Sequence, residues 1–215
     1  MKKIFFTFVL ALCVPFMAGA QGADDVLEKA KAGDAAAQYS LYLKYSIGNV
    51  DNLSDAEGIQ WLTKAANGGI SKAQFSMAEV YKRGLHGVEQ NDAQYLYWLT
   101  AAANHDTFEN KQLGSGRIAL DDAIHAQHIL AWIYREGNCG VRKNMDEYLK
   151  WETKSAENGN PAAALSLGNY YKKKGKKQEA IYWLKKTIDF QPGVNDAVTS
   201  IEAARSLGKL GVKGY

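Results

Sequence analysis

Residues 73–103 read AQFSMAEVYKRGLHGVEQNDAQYLYWLTAAA, and the fold is decided by the return of this stretch elsewhere in the chain. Its dipeptide Trp98-Leu99 recurs as Trp61-Leu62 and Trp183-Leu184, with Trp151 in the same register. Its opening Ala73-Gln74-Phe75 aligns with Ala37-Gln38-Tyr39, Ala126-Gln127-His128 and Ala163-Ala164-Leu165. Between these marks, Tyr81 and Gly84 match Tyr45 and Gly48, Tyr134 and Gly137, and Tyr171 and Gly175. The tryptophans are 37, 53 and 32 residues apart, and the long interval contains 106–121, which carries no repeat pattern. A period of this length, seen four times, is the mark of a helical repeat array.

Each unit reads as two helices. Ala93, Leu96, Tyr97, Leu99, Thr100 and Ala103 fall 3 and 4 apart, which is helical spacing. The glycines end the first helix of each unit, because a left-handed residue after the last turn suits glycine. Two of the connecting loops are alike: Gly84-Leu85-His86-Gly87-Val88 and Gly137-Asn138-Cys139-Gly140-Val141. Second helices close on small pairs, Ala65-Ala66, Ala102-Ala103 and Ser155-Ala156, which let neighbouring helices approach closely. Pro161 opens the next helix from a favoured first-turn position. The expected layout is a capping helix within 21–34, then repeats over 35–70, 71–121 (with 106–121 inserted), 122–160 and 161–192. A closing helix and tail over 193–215 complete it. Each pair has an apolar face that only its neighbours can cover, so stability sums over repeat contacts.

The pattern Ala-x-x-x-small-x-x-Tyr, Gly-x-x-Gly-Val, Ala-x-x-Trp-Leu-x-x-Ala-Ala-x-x-Gly resembles the Sel-one-like repeat family, a relative of the tetratricopeptide repeats. The match is fullest over 35–160, and 161–192 is closer to a tetratricopeptide unit. Repeat one departs from it: Ser54 to Gly58 replaces the usual loop, and Tyr42 stands where a small residue recurs. The resemblance implies an all-α, right-handed α-α superhelix of antiparallel helix pairs, acting as a scaffold or adaptor and not as an enzyme. A cysteine-rich branch of the family is linked to penicillin-like compounds, and its repeats carry paired cysteines. This chain lacks those pairs, so a cysteine-poor relative of that branch is an alternative reading, as is an adaptor on a cell-envelope polymer.

The composition fits a folded, exported protein. Of 215 residues, 47% are apolar and 23% charged, which excludes a disordered tail. Lys2 and Lys3, an apolar run from Ile4 to Met17, and Ala18-Gly19-Ala20 form a secretory signal over 1–20, with cleavage expected after Ala20. The expected location is therefore the periplasm or the exterior. With 26 basic and 23 acidic residues, and two of the lysines inside the signal, the remainder is nearly neutral. That argues against a nucleic-acid partner. No later apolar run is long enough for stable membrane insertion. Cys13 leaves with the signal, and Cys139 alone supports neither a disulfide framework nor a zinc site.

No nucleophile elbow, phosphate loop or His-Glu-x-x-His occurs, so neither a catalytic set nor a cofactor is expected. His125 and His128, three apart on one helix, raise a metal site, but no convincing third ligand joins them. The lysines at 172, 173, 174, 176 and 177 read either as a solvated turn or as an attraction for an acidic partner. The recurring tryptophans read as core. Trp132 differs, since no other first helix has one. In tetratricopeptide-type arrays the first helices line a concave groove. Carried over by position, that groove takes Phe75, Glu79, Lys82 and Arg83 from repeat two. Repeat three contributes His125, His128, Trp132 and Arg135, and repeat four Asn169 and Lys172, with Lys72, Leu165 and Lys173 beside them. A tryptophan among arginine and histidine is hot-spot chemistry for a protein or peptide ligand in the cell envelope. The competing reading packs Trp132 under the 106–121 insertion.

Overall fold

The computed structural model describes residues 20–48, 54–105, 111–112, 118–119, 121–190 and 197–214. The expected signal segment, 1–20, lies almost wholly outside them. Helix α1 (Ala20–Lys31) precedes four helix pairs: α2 (Ala35–Ser46) with α3 (Asp55–Asn67), α4 (Ser71–Arg83) with α5 (Asp92–Ala103), α6 (Asp122–Glu136) with α7 (Met145–Glu157), and α8 (Pro161–Lys173) with α9 (Lys177–Asp189). Helix α10 (Ala197–Lys209) closes the array. Inside the inserted segment, β1 (Lys111–Gln112) and β2 (Ile118–Ala119) form a two-residue antiparallel ladder, which no residue pattern in that stretch announces. Every helix packs on its neighbours in sequence, and α4 also meets α6 as α8 meets α10. The result is an all-α solenoid of antiparallel pairs, of tetratricopeptide type.

Local chemistry sets the ends of the helices. Ser54 and Glu57 make a reciprocal capping box at α3, while Asn91 and Asn144 cap α5 and α7 through their side-chain oxygens. Gly84 and Gly137 follow α4 and α6 at φ 65° and 75°, where a side chain would be strained. The two look-alike loops share their shape as well as their sequence. His86 and Cys139 occupy the same loop position at φ 55° and 54°, a left-handed conformation costing a non-glycine residue roughly 1–2 kcal/mol. Each loop is tied back to its own first helix: Asn91 N–H donates to the Tyr81 carbonyl at 3.0 Å, and Asn144 N–H to that of Tyr134 at 2.9 Å.

Packing explains the repeated residues. Leu62, Leu99 and Leu184, the partners of the repeat tryptophans, are fully buried. Trp98, Trp151 and Trp183 are buried too, but Trp61 is only half-buried. Tyr42 is buried where the other units have Ala78, Ala131 and Gly168. Where α5 and α7 carry Tyr95 and Tyr148, α3 carries Gly58, and a Cβ there would run into the Tyr45 ring. The recurring glutamines join units. Gln38, Gln74 and Gln127 are buried, and each donates Nε2 to a carbonyl at the end of the preceding second helix or cap, at Ala30, Ala66 and Ala103, over 3.0–3.1 Å. A buried amide bonded in this way fixes the register between units at little desolvation cost. In the fourth unit the position is Ala164, which has no such group. The apolar core falls into several clusters, and Leu149 of α7 packs against the two largest while Tyr170 of α8 packs against the first. One apolar cluster runs from Tyr42 to Trp151, and another begins at Ala156 and ends at Trp183.

Candidate functional site

Helices α4, α6 and α8 are the first helices of units two to four, so they carry the residues expected to meet a partner. On α6, His125, His128 and Trp132 follow one stripe, spaced 3 and 4 apart. Trp132 is 46% exposed, unlike the buried repeat tryptophans. Its indole stands between two cavities. The first, of about 280 Å³, opens among α6, α7, α8 and α10 and is lined by His128, Trp132, Arg135, Tyr148, Glu152, Leu165, Ser166 and Asn169. The second, of about 300 Å³, lies toward α4 and α5 and is lined by Lys82, Asp92, Tyr95, His128, Ile129, Trp132, Ile133 and Cys139, so His128 and Trp132 border both.

Of the residues singled out in the sequence, His128, Trp132, Arg135 and Asn169 meet at the first cavity, and Lys82 lines the second. Phe75, Glu79, Arg83, His125 and Lys172 line neither. Phe75 is half-buried against the core, and Glu79 pairs with Lys82 at 3.5 Å. Arg83 and His125 are exposed on their helices. The closing helix engages part of the fourth unit's share: Asn169 Nδ2 donates to Glu202 Oε1 at 3.0 Å, and Lys172 Nζ to Ser206 Oγ at 2.9 Å. Among the lysines of that turn, Lys174 and Lys176 rest 5.7 Å from the Tyr170 and Tyr171 rings. Among the described residues no three His, Cys, Asp or Glu side chains gather as metal ligands, and His128 is committed to a carboxylate.

That carboxylate was not anticipated. Glu152 is 1% exposed and occupies the position of Leu62, Leu99 and Leu184. A buried carboxylate is costly unless paired. Its Oε2 lies 2.8 Å from His128 Nδ1, across from α7 to α6. The signal was present in the sequence: Trp151-Glu152 breaks a series that is otherwise Trp-Leu. Tyr148, also on α7, bonds Ser166 Oγ at 3.1 Å, and the Arg135 guanidinium lies 5.8 Å over its ring. Burial pushes the Tyr148 and Tyr95 phenols upward, so both remain neutral hydroxyls. Burial, with Asp92 adding to it, also pushes the Cys139 thiol up, while Lys82 opposes it. The site thus combines a half-exposed indole, apolar walls on one side and paired polar groups on the other.

Comparison with known proteins agrees with the geometry. The Sel1 repeat model matches residues 33–70, 71–106, 124–160 and 161–189, more than half of the chain. The chain belongs to the Sel1 repeat family, whose members are generally protein-interaction scaffolds and typically not enzymes. The fold is similar to that of a Sel1 repeat protein from Oxalobacter formigenes, at 25% identity and a TM-score of 0.66, over 90% of this chain and 72% of that one. It is also similar to c5321, a protective antigen of uropathogenic Escherichia coli with an SLR fold. There the identity is 24% and the TM-score 0.57, over 89% of this chain and 41% of the antigen. No curated protein matches the chain.

Proposed function

We propose that this protein is an exported scaffold that binds a protein or peptide segment in the cell envelope across the first-helix face, with Trp132 as the anchor. The observation that carries the reading is the 46% exposure of Trp132 between two cavities, at a position where no other unit has a tryptophan. Interface energy concentrates in such side chains, above all tryptophan and arginine seated in pockets. Export rests on Lys2-Lys3, the apolar run and Ala18-Gly19-Ala20. Among the described residues no helix is long and apolar enough to cross a membrane.

One preparation tests both parts. Tagged protein recovered from the envelope or medium should begin at Gln21 by mass spectrometry, and full-length protein confined to the cytoplasm would refute export. Used as bait, it should retain a partner that the Trp132→Ala variant loses, at a cost of about 2 kcal/mol or more, near thirtyfold in affinity. The variant should keep its helical circular dichroism and melting temperature, because the side chain is half in solvent. Trp98→Ala, in the core, should lose about 3–5 kcal/mol of stability instead. If Trp132→Ala unfolds the array and leaves binding per folded molecule unchanged, the anchor lies elsewhere.

A further inference from the structure

The first cavity beside Trp132 has a carboxylate in its wall that is bonded through one oxygen only. Glu152 is 1% exposed, and its Oε2 accepts from His128 Nδ1 at 2.8 Å. Among the described residues nothing bonds Oε1. The one side-chain polar atom there that is shut away from solvent without a partner is Trp98 Nε1, so Oε1 is reached from the cavity that Glu152 lines. Two further acceptors belong to the same lining. Asn169 gives its Nδ2 to Glu202 Oε1 at 3.0 Å, which leaves its Oδ1, and a histidine ring whose Nδ1 carries the proton accepts at Nε2. The donors of the lining stand differently. The Arg135 side chain is 42% exposed, its Nε is spent on Glu136 Oε1 at 2.8 Å, and solvent reaches the rest. An unmet acceptor on a buried carboxylate costs far more than an unmet donor on a solvated guanidinium, so Glu152 and not Arg135 selects the charge of a guest. The neighbouring charges lean the same way: Glu136 and Glu202, each bonded to a lining residue, join Glu152 against Arg135. Lys172, one turn beyond Asn169, donates to Ser206 Oγ and does not line the cavity.

We infer that the first cavity takes a basic side chain of the bound peptide segment, whose ammonium or guanidinium group donates to Glu152 Oε1 and Asn169 Oδ1 while its hydrocarbon stem lies along Trp132 and Leu165. A charge-assisted bond to a desolvated carboxylate supplies the preference for a cation. The indole adds to it, because its electron-rich face attracts positive charge. The stem of a lysine or arginine covers apolar surface while its head stays polar, which matches a lining of indole and leucine around a carboxylate. This rests on the docking reading above and names the ligand chemistry of that same surface.

The test is a random peptide library displayed between flanking domains, with no free terminus, selected on the immobilised protein and counter-selected on Trp132→Ala. Clones that depend on Trp132 should share a lysine or arginine. A synthetic consensus peptide should bind about tenfold more tightly than its counterpart with methionine at that place. Glu152→Leu should keep the fold and shrink that preference to about twofold. Should the leucine variant not fold, Glu152→Gln, which keeps the volume and removes the charge, reads the same quantity. Arg135→Gln should leave the affinity for the basic peptide unchanged or raise it, since a like charge is removed. Trp132-dependent clones rich in Asp or Glu, or without charge, would overturn the inference and leave the docking reading standing. So would a preference that survives loss of the Glu152 charge, or one that disappears with Arg135→Gln. If no clone depends on Trp132, the docking reading itself fails and takes the inference with it.

Discussion

Replacing Glu152 by leucine restores the residue that the other three units carry, so it isolates the energetics of the one buried carboxylate in the series. Glu152 is 1% exposed and its partner, the His128 side chain, 34% exposed. Exchanging both members of a buried ionic pair for apolar packing of similar volume is commonly neutral, or stabilising by about 1–4 kcal/mol, and Glu152→Leu approaches that case because the histidine it leaves keeps contact with solvent. Removing one partner and leaving the other buried costs about 3–5 kcal/mol. Solvent reaches one side of the histidine, so the lower part of that range is scaled down to about 2–3 kcal/mol for His128→Ala. For a chain of this size each kcal/mol moves the melting temperature by about 2–4 °C. Thermal melts followed by circular dichroism should therefore place Glu152→Leu at or above the parent and His128→Ala roughly 4–12 °C below it. In the double variant, most of the His128→Ala loss should vanish, because no carboxylate remains to be orphaned. A Glu152→Leu protein that melts well below the parent would refute the reasoning, as would a His128→Ala protein that melts with it. Either result would mean that the pair does not govern the stability of this seam.

Gly168 of α8 packs directly against Leu184 of α9. A Cβ there would fall 2.7 Å from Leu184 Cγ and 3.3 Å from its backbone nitrogen. Overpacking of about 1–3 kcal/mol outweighs the gain in helix propensity of about 1 kcal/mol, so Gly168→Ala should lower the urea midpoint, and a raised midpoint would show that the contact relaxes freely. Cys139 should alkylate more slowly than a free cysteine at neutral pH, because a thiol pushed upward by burial holds less thiolate, and its rate should climb only above the ordinary thiol range. Reaction with iodoacetamide, followed by mass, checks this, and a rate above the free-cysteine reference would contradict it.

The fold was legible because its determinants repeat. Trp-Leu, Ala-Gln and the loop glycines each occur several times at one spacing, and repetition separates a structural signal from chance. Trp132 was legible for the opposite reason, since it breaks a series within the first helices. Glu152 was not legible because Trp151 alone marks that register, and the burial of the next position is set by the packing of α7 on α6. The glutamines marked the repeat, but their purpose depends on acceptors in the preceding unit, at Ala30, Ala66 and Ala103. Asn169 and Lys172 illustrate a limit of transfer by position. They stand on the expected helix, yet α10 folds back and bonds both, a contact set by residues more than 30 positions away. Repeat one read as irregular at Tyr42, and the fold takes that ring into the core, while Gly58 leaves room for the ring of Tyr45.

The glutamine clasp fastens three successive joints and is missing from the fourth. A chain of equal joints has no preferred place to part, whereas one lighter joint concentrates failure under heat or load. The unclasped joint lies between α7 and α8, where Ala164 stands in place of the glutamine, while Leu149 and Tyr170 carry apolar packing across it. The Tyr148–Ser166 hydroxyl contact bridges it, at the wall of the Trp132 cavity. A guest in that cavity would touch both sides of the one joint without a glutamine clasp, acting as a rivet. Occupancy would then set whether the last two helix layers part with the rest of the array or ahead of it.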